Sequence, residues 1–349
     1  MRLLILTQKV DAQDDVLGFF HEWLKRFAAH CEEVEVICLF EGRHELPANV
    51  RVHSLGKEQG VGKMRRTLRL FNLLGHLRGQ YDGVFVHMNP EYLVLAGWWW
   101  RLARIPTLLW YSHRNVDLKL RIAEKFSTAV ASSAASSFKL KSRKLHVVGH
   151  GIDTQLFAPS TQSVHTPWQL VSVGRITPIK RLETAIEALA LLRQKGVDAE
   201  LALVGQATVP GDKSYEQELK ERVKILTLEP YVRFAGAVPY GGIPAVYQGA
   251  DVSINLAPTG GLDKAVLESM AAGLPTLVSN QGFADFLGPY RERLLFKQDS
   301  ALDLAEKLEA LYHSTDKALV ETYLRGQVIE KASLDTLILK LISIVWPNK

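Results

Sequence analysis

A glycine pair leading into a short helix is the stretch of this sequence best suited to bind a phosphate. Residues 259–275 read TGGLDKAVLESMAAGLP, with Gly260 and Gly261 before an apolar helical pattern that stops at Gly273. The first amides of a helix lack internal partners and carry partial positive charge, which favours an anion. Glu268, about one turn further on, is placed to accept hydrogen bonds from ribose hydroxyls. A plain glycine turn with no ligand is the alternative.

A second stretch adds two fixed cations to the same kind of helix start. Residues 169–193 contain an apolar run ending at Gly174, then Arg175, and Lys180 just before an amphipathic helix. The helical spacing of its apolar residues predicts that this helix packs on a sheet through one face. Arg175 and Lys180 then lie near a helix N-terminus, where an anion is already favoured. Solvated surface charges are the alternative.

Alternating apolar strands and amphipathic helices predict an α/β protein with two domains. Residues 2–7 read as a buried parallel strand, a helix follows at 19–30, and the alternation continues to a segment ending at residue 157. Residues 158–167 are polar and flanked by proline, as linkers are. A second alternation occupies residues 168–330, and helical segments are predicted at 300–313 and 334–346. We therefore expect two Rossmann-like domains, each with a parallel sheet.

Four segments carry a resemblance to a known family. VGRITPIKR, FAGAVPY, YQGADVSINLAP and LESMAAGLP, in this order and spacing, resemble the donor-binding half of family 4 retaining, nucleotide-sugar-dependent glycosyltransferases. The likeness extends over most of the chain and is specific in residues 169–280. It implies the GT-B fold, with two facing Rossmann-like domains and a last helix, residues 331–349, that crosses back to the first domain.

The resemblance implies a role for individual residues. It places Arg175 and Lys180 on the donor diphosphate and Glu268 on the ribose. It also assigns three further positions to the donor: Gly18 in a loop facing it, Val238 at the nucleobase, and His113 in the sugar pocket, so that the catalytic set is His113, Arg175 and Lys180.

One position departs from the family pattern. A second glutamate, eight positions before the first, usually contacts the transferred sugar, and here that position is Gly260. Asp263, or the main-chain amides from Gly261 through Leu262 to Lys264, are the candidates to replace it. The identity of the sugar is therefore left open.

Two histidines follow apolar strands, where open α/β sheets place ligands. His87 ends the segment DGVFVHMNP, and His113 follows PTLLWYS. A polar strand end without a function is the general alternative for both. The family match favours a functional role for His113 rather than for His87.

The charge of the chain is uneven and suggests an anionic partner for the first domain. The net charge is +5, and residues 61–160 hold 15 Lys or Arg against 5 Asp or Glu. The helix predicted at 61–79 carries Arg65, Arg66 and Arg69 beside an apolar arc of Met64, Leu68, Phe71 and Leu74. Together with Trp98 and Trp99, this pattern indicates contact with an anionic inner membrane surface and an acceptor there. The alternative is that the helix only covers the sheet.

Other classes are disfavoured by composition. No apolar run approaches the roughly 20 residues needed to span a bilayer, and the first ten residues are unlike a signal peptide, so we expect a cytoplasmic or peripheral inner-membrane protein. Cys31 and Cys38 are expected to be free thiols in a reducing compartment. No recognised nucleic-acid module is present. No DxD-like acidic pair follows a strand in the donor half, so we expect neither a metal nor a cofactor.

The resemblance implies a retaining transfer of a sugar from a UDP- or GDP-sugar to a hydroxyl acceptor. The acceptor is expected to be a glycan or lipid-linked intermediate of the cell envelope. Three alternatives stay open: transfer to a soluble acceptor, an epimerase or phosphorylase of the same fold, and a non-catalytic sugar-nucleotide-binding protein.

Overall fold

The chain folds into two compact α/β units. The computed structural model describes residues 1–14, 16–113, 115–159, 165–258 and 260–346. The first unit comprises Met1–Gly151, Pro239–Gly241 and Leu334–Lys349, and the second comprises Ile152–Val238 and Gly242–Ser333. Thr259 and residues 160–164 of the predicted linker lie outside the described residues. The α/β class predicted from the sequence is confirmed.

The first unit is built on a parallel sheet of seven strands in the order β3-β2-β1-β4-β5-β6-β7. Its strands are β1 (Arg2–Val10), β2 (Glu33–Glu41), β3 (Val50–Ser54), β4 (Gly83–His87), β5 (Thr107–Trp110), β6 (Ala129–Ser132) and β7 (Leu145–Val147). The central strands are apolar on both faces, as a parallel sheet covered by helices requires.

The second unit holds a parallel sheet of five strands in the order β10-β9-β8-β11-β12. The strands are β8 (Trp168–Val173), β9 (Ala199–Val204), β10 (Val232–Gly236), β11 (Val252–Asn255) and β12 (Thr276–Val278). From β8 the chain builds outward through β9 and β10 and then returns to the other side of β8 with β11. Such a reversal opens a crevice at the carboxyl ends of β8 and β11, where α/β proteins bind ligands.

The helices of the described residues are, in chain order, α1 (Phe19–His30), α2 (Lys63–His76), α3 (Glu91–Leu102), α4 (Leu118–Phe126), α5 (Leu182–Gln194), α6 (Pro210–Ile225), α7 (Ile243–Gln248), α8 (Lys264–Ala271), α9 (Ala284–Leu287), α10 (Arg291–Leu294), α11 (Ala301–Tyr312), α12 (Lys317–Ala332) and α13 (Leu334–Val345). In the first unit α1 and α13 pack on one face of the sheet, and α2, α3 and α4 pack on the other. The last helix therefore belongs to the first unit.

Two local predictions differ from the structure. The prolines and glycines that follow β9 predict a loop through Lys213, but the chain is already helical from Pro210, because proline is tolerated in the first turn of a helix. Helix α12 was not predicted. The apolar arc of α2 is covered only in part: Leu74 is buried, whereas Met64 and Leu68 are 78% and 59% exposed, and Leu70 with Leu74 forms the face that packs on the sheet.

The end of the chain is fitted closely against the first sheet. A Cβ placed on Gly83, the first residue of β4, would lie 1.8 Å from ring atom Cζ2 of Trp346. The indole therefore occupies the volume that any larger residue at position 83 would need.

We predict that Gly83→Ala destabilises the protein by about 1–3 kcal/mol, the usual cost of overpacking. Adding Trp346→Ala should recover part of that loss, because it vacates the same volume. Thermal unfolding measures both variants. Gly75→Ala is the matched control: it is in α2 with open space around its Cβ, so it should leave stability unchanged or raise it. An unchanged melting temperature for Gly83→Ala would contradict this packing.

Candidate functional site

The site is formed at the carboxyl edge of the second sheet by the turns that follow three neighbouring strands. Gly174 to Lys180 follow β8, Gly260 to Asp263 precede α8 after β11, and Asn280 follows β12. Because β8 and β11 are adjacent parallel strands, their following turns meet at the point where the strand order reverses. The two stretches singled out in the sequence are therefore brought together.

Asp263 is the residue on which these turns converge. Its Oδ2 forms an ion pair with Lys180 Nζ and accepts a hydrogen bond of 2.9 Å from Asn255 Nδ2. Its Oδ1 accepts a 3.2 Å bond from the amide of Ala265, so that Asp263 is also the N-cap of α8. One carboxylate thus links the ends of β8 and β11 to the start of the helix.

The partners of Asp263 keep it ionised. Burial by itself would raise the pKa of this carboxyl group, but the Lys180 ammonium and the hydrogen bonds from Asn255 and Ala265 outweigh it, so the pKa lies below its usual value of 3.8. The start of α8, where an anion was predicted, thus already holds an internal anion. An entering phosphate has to compete with it for Lys180.

Arg175 and Lys180, the two cations of the turn after β8, differ in their surroundings. The Lys180 side chain passes close to Gly174, where a Cβ would lie 3.3 Å from its Cε and Nζ. Gly174 has a φ of +149°, which also favours glycine at that position. Arg175 is exposed and forms no ion pair within the described part of the chain, so its charge is not neutralised.

Glu268 lies on the buried side of α8 and is paired within its own helix. It is 6% exposed, and its Oε1 lies 3.1 Å from Lys264 Nζ. Burial lowers the pKa of Lys264 even though the Glu268 charge acts in the opposite direction. Tyr247 holds the start of α8: its hydroxyl donates to the carbonyl of Ala265 at 2.9 Å.

The glycine turn is held in place by a residue that the sequence did not single out. Asn280 Nδ2 donates to the carbonyl of Gly261 at 3.0 Å, and Leu262 is half-buried beside Gly282. Asn280 and Asn255 were both missed by sequence reasoning. The signal was available, because each is a polar residue at the carboxyl end of a buried strand.

Comparisons with known proteins match the second unit to a protein family. A family model described as "Glycosyl transferases group 1" matches residues 153–324. Among solved structures, HepE of Anabaena in complex with UDP is 18% identical and superposes with a TM-score of 0.74 over 98% of this chain and 99% of its own. That likeness concerns the fold, which is GT-B.

The second unit resembles the group 1 glycosyl transferases.

Relatives of the chain include a protein named for colanic acid biosynthesis and a mannosyltransferase. The putative colanic acid biosynthesis glycosyltransferase WcaL of Escherichia coli is 28% identical over 56% of this chain and 48% of that protein. A GDP-mannose-dependent alpha-mannosyltransferase of Mycolicibacterium smegmatis is 28% identical over 76% of both chains. The chain spans about half the length of the first curated relatives it matches.

The remaining residue assigned to the donor in the second unit is Val238. It follows β10, and its Cγ1 would lie 2.9 Å from a Cβ on Gly242, against which it packs. Contact with a nucleobase stays a prediction.

Gly18 and His113 follow strands of the first sheet at its carboxyl edge. A Cβ on Gly18 would lie 2.4 Å from the carbonyl oxygen of Asp14, so the turn after β1 requires glycine there. His113 is exposed, and its Nδ1 accepts a 3.1 Å bond from the amide of Asn115. His87 is instead 1% exposed and stacks on Phe20 at 4.1 Å, as a core histidine does.

The residues proposed to face a membrane lie on α2 and α3. Arg65 is exposed, Arg66 is half-buried, and Arg69 donates to the carbonyl of Leu55 at 3.4 Å. Trp98 is 47% exposed and Trp99 half-buried, whereas Trp100 is buried and donates to the hydroxyl of Tyr81.

Three further features of the described residues concern other kinds of site. No helix among them is both long and apolar enough to cross a bilayer. No group of three or more His, Cys, Asp or Glu side chains within them is arranged to hold a metal ion. Cys31 and Cys38 are free and buried, and burial raises the pKa of the two thiols to about 11 and about 12.

We predict opposite effects of two substitutions at the Asp263 junction on the binding of UDP or GDP. Lys180→Ala should weaken binding at least tenfold, because a charge-assisted bond is lost. Asp263→Asn should strengthen it several-fold, since asparagine still caps the helix but no longer competes for Lys180. Titration calorimetry measures both.

The control is Lys195→Ala, which removes a charge paired with Glu309 elsewhere in the second unit. It should bind nucleotide as the unmodified protein does. If Lys180→Ala and the control bind nucleotide with equal affinity, Lys180 does not contact the bound anion.

Proposed function

We propose that this protein is a retaining glycosyltransferase that moves a sugar from a UDP- or GDP-sugar to a hydroxyl group of a lipid-linked or other cell-envelope glycan intermediate. The observation that carries the proposal is the junction of Lys180, Asp263 and Asn255 at the strand reversal of a group 1 domain. A fixed cation beside a helix start in a ligand crevice is suited to a diphosphate.

Two cations account for most of the expected rate acceleration. Sugar transfer builds negative charge on the departing diphosphate, and preorganised cations stabilise such charge best where water is excluded. Lys180 is fixed by its contacts, and Arg175 carries an uncompensated charge on the same turn. We infer that both contact the diphosphate and that this arrangement needs no metal.

The donor has to replace two internal ion pairs. Its diphosphate takes Lys180 from Asp263, and its ribose hydroxyls take Glu268 from Lys264. Asp263 is then left beside the helix start, in the region where the family's missing glutamate would be. We infer that Asp263 contacts the transferred sugar in place of the residue replaced by Gly260, together with the amides of Gly261, Leu262 and Lys264.

The same-face route is favoured for the chemical step. A double displacement needs a nucleophilic carboxylate at the anomeric carbon, and Gly260 removes the family's candidate. The acceptor hydroxyl instead passes its proton to the departing phosphate, and the new bond forms on the face that the phosphate leaves. His113 and Gly18 are proposed to contribute from the first unit, and Val238 to contact the nucleobase.

Relatives support the choice of donor and acceptor. The name of the Mycolicibacterium smegmatis relative specifies GDP-mannose, and HepE was solved with UDP and with UDP-glucose. The name of the Escherichia coli relative refers to colanic acid biosynthesis. A non-catalytic sugar-nucleotide-binding protein is the second candidate, because Gly260 stands where the family keeps a carboxylate.

We also propose that the first unit contacts an anionic membrane surface on the cytoplasmic side. The exposed start of α2 carries Lys63 and Arg65 beside the exposed apolar side chains of Met64 and Leu68. Basic and apolar side chains side by side on a helix are typical of binding at the membrane interface.

The decisive experiment is a thermal-shift screen of UDP-, GDP- and ADP-sugars, followed by assays of donor hydrolysis and transfer. A bound donor stabilises the fold by mass action, by about 2.7 kcal/mol at a hundred times its Kd. Glu268→Gln should weaken nucleotide binding about tenfold, as expected for one charge-assisted hydrogen bond. Glu218→Gln, exposed on α6, is the control.

If nucleotides bind but neither hydrolysis nor transfer is detected with any donor, the non-catalytic function replaces the enzymatic one. Wild-type affinity of Glu268→Gln would exclude Glu268 from the ribose site.

The membrane contact predicts weaker partitioning onto anionic vesicles after Lys63→Glu combined with Arg65→Glu. Each basic residue near an anionic surface contributes about 1 kcal/mol, so the loss should reach about 2 kcal/mol or more. Sedimentation with vesicles measures it. Lys213→Glu with Arg233→Glu, exposed in the second unit, gives the same charge change as a control. If the α2 variant partitions onto vesicles as before, α2 does not contact the membrane and only packs on the sheet.

A further inference from the structure

A cavity lies at the amino edge of the first sheet. It has a volume of about 380 Å³ and is lined by the turns that precede β5, β6 and β7. Arg101, Arg104 and Lys144 surround it, while Ile105 and Phe126 contribute apolar surface. Gly18 and His113 follow strands at the opposite, carboxyl edge, so the cavity is separate from the residues proposed to act in sugar transfer.

The three cations of this cavity are not neutralised by acids. Arg101 donates to the carbonyl of Lys125 at 2.7 Å, and Lys144 donates to the carbonyls of Glu124 at 2.7 Å and Ser127 at 2.9 Å. These acceptors are uncharged, and the partial negative charge at the end of α4 offsets only part of the positive charge. Within the described ranges none of the three cations forms an ion pair.

The positive charge extends beyond the cavity wall. Lys125, at the end of α4, is exposed, and so are Lys141 and Arg143 in the basic run KLKSRK that precedes β7. The one acid on these segments, Glu124, accepts a hydrogen bond of 2.7 Å from the hydroxyl of Ser142. Such a concentration of positive charge is better suited to an extended anionic surface than to a single small anion.

Apolar side chains stand beside the basic ones. Trp98 and Leu102, one turn apart on α3, are 47% and 77% exposed. Tryptophan and basic residues together are typical of the headgroup level of a membrane, where the ring enters the acyl boundary. A free phosphate in solution gives no reason to expose these two side chains.

We infer that this cavity binds the phosphate of an anionic phospholipid headgroup through Arg101, Arg104 and Lys144, with Trp98 and Leu102 entering the membrane interface. The inference deepens the membrane contact proposed above by giving it a discrete site. It is independent of sugar transfer and of the residues on α2.

Arg104→Glu is the most direct test, because Arg104 forms no side-chain bond in the described part of the chain and its replacement leaves the end of α4 intact. Partitioning is measured on vesicles of phosphatidylcholine containing phosphatidylglycerol. A change of two charges at the surface should weaken it about 20-fold, and the difference should shrink at high salt. Arg233→Glu, with the same charge change on β10, should partition as the unmodified protein does.

A second variant and a soluble competitor separate the sources of phosphate. Trp98→Ser should weaken partitioning while keeping every cation, and glycerol phosphate should fail to release the protein from vesicles. Circular dichroism confirms that each variant is folded. Unchanged partitioning of Arg104→Glu would overturn the inference, as would full release by glycerol phosphate. If only the α2 variant loses vesicle binding, the membrane proposal stands and this site is rejected.

Discussion

The ion pair between Lys180 and Asp263 is the contact on which the candidate site depends. Two turns that follow different strands are joined by it at the point where the strand order reverses. Asp263 also caps α8 and accepts a bond from Asn255, so its position is fixed from three directions.

In the proposed donor site, the pairing of Lys180 with an internal carboxylate also sets a threshold for binding. A neutral or weakly charged molecule gains too little from Lys180 to replace Asp263, whereas a diphosphate carries more charge than the carboxylate it displaces. Arg175 has no ion-pair partner in the described structure, so its charge is available to an approaching anion. In the proposed donor site, selectivity for diphosphates would therefore rest on a competing contact as well as on attractive ones.

The sequence predicts the architecture of this site better than its contacts. Apolar alternation predicts parallel strands, and parallel strands place Lys180 and the turn before α8 at one edge. The pattern does not specify which side chains pair there, so Asn255 and Asn280 were missed. The contacts of α2 were not specified for a related reason: periodicity locates an apolar stripe, but tertiary packing decides that Leu70 and Leu74 form the face on the sheet.

The two edges of the first sheet differ in how their cations are used. At the carboxyl edge Lys9 is paired with Asp11 and Asp14, and such pairs organise the turn before α1. At the amino edge Arg101, Arg104 and Lys144 have no acidic partner in the described structure, so their mutual repulsion opposes folding. Arg101 and Lys144 both donate to carbonyls at the end of α4, whereas Arg104 forms no such bond in the described structure. The charge of Arg104 therefore does not arise from the requirements of the fold, and an anion that approaches from outside is the simplest physical reason for it.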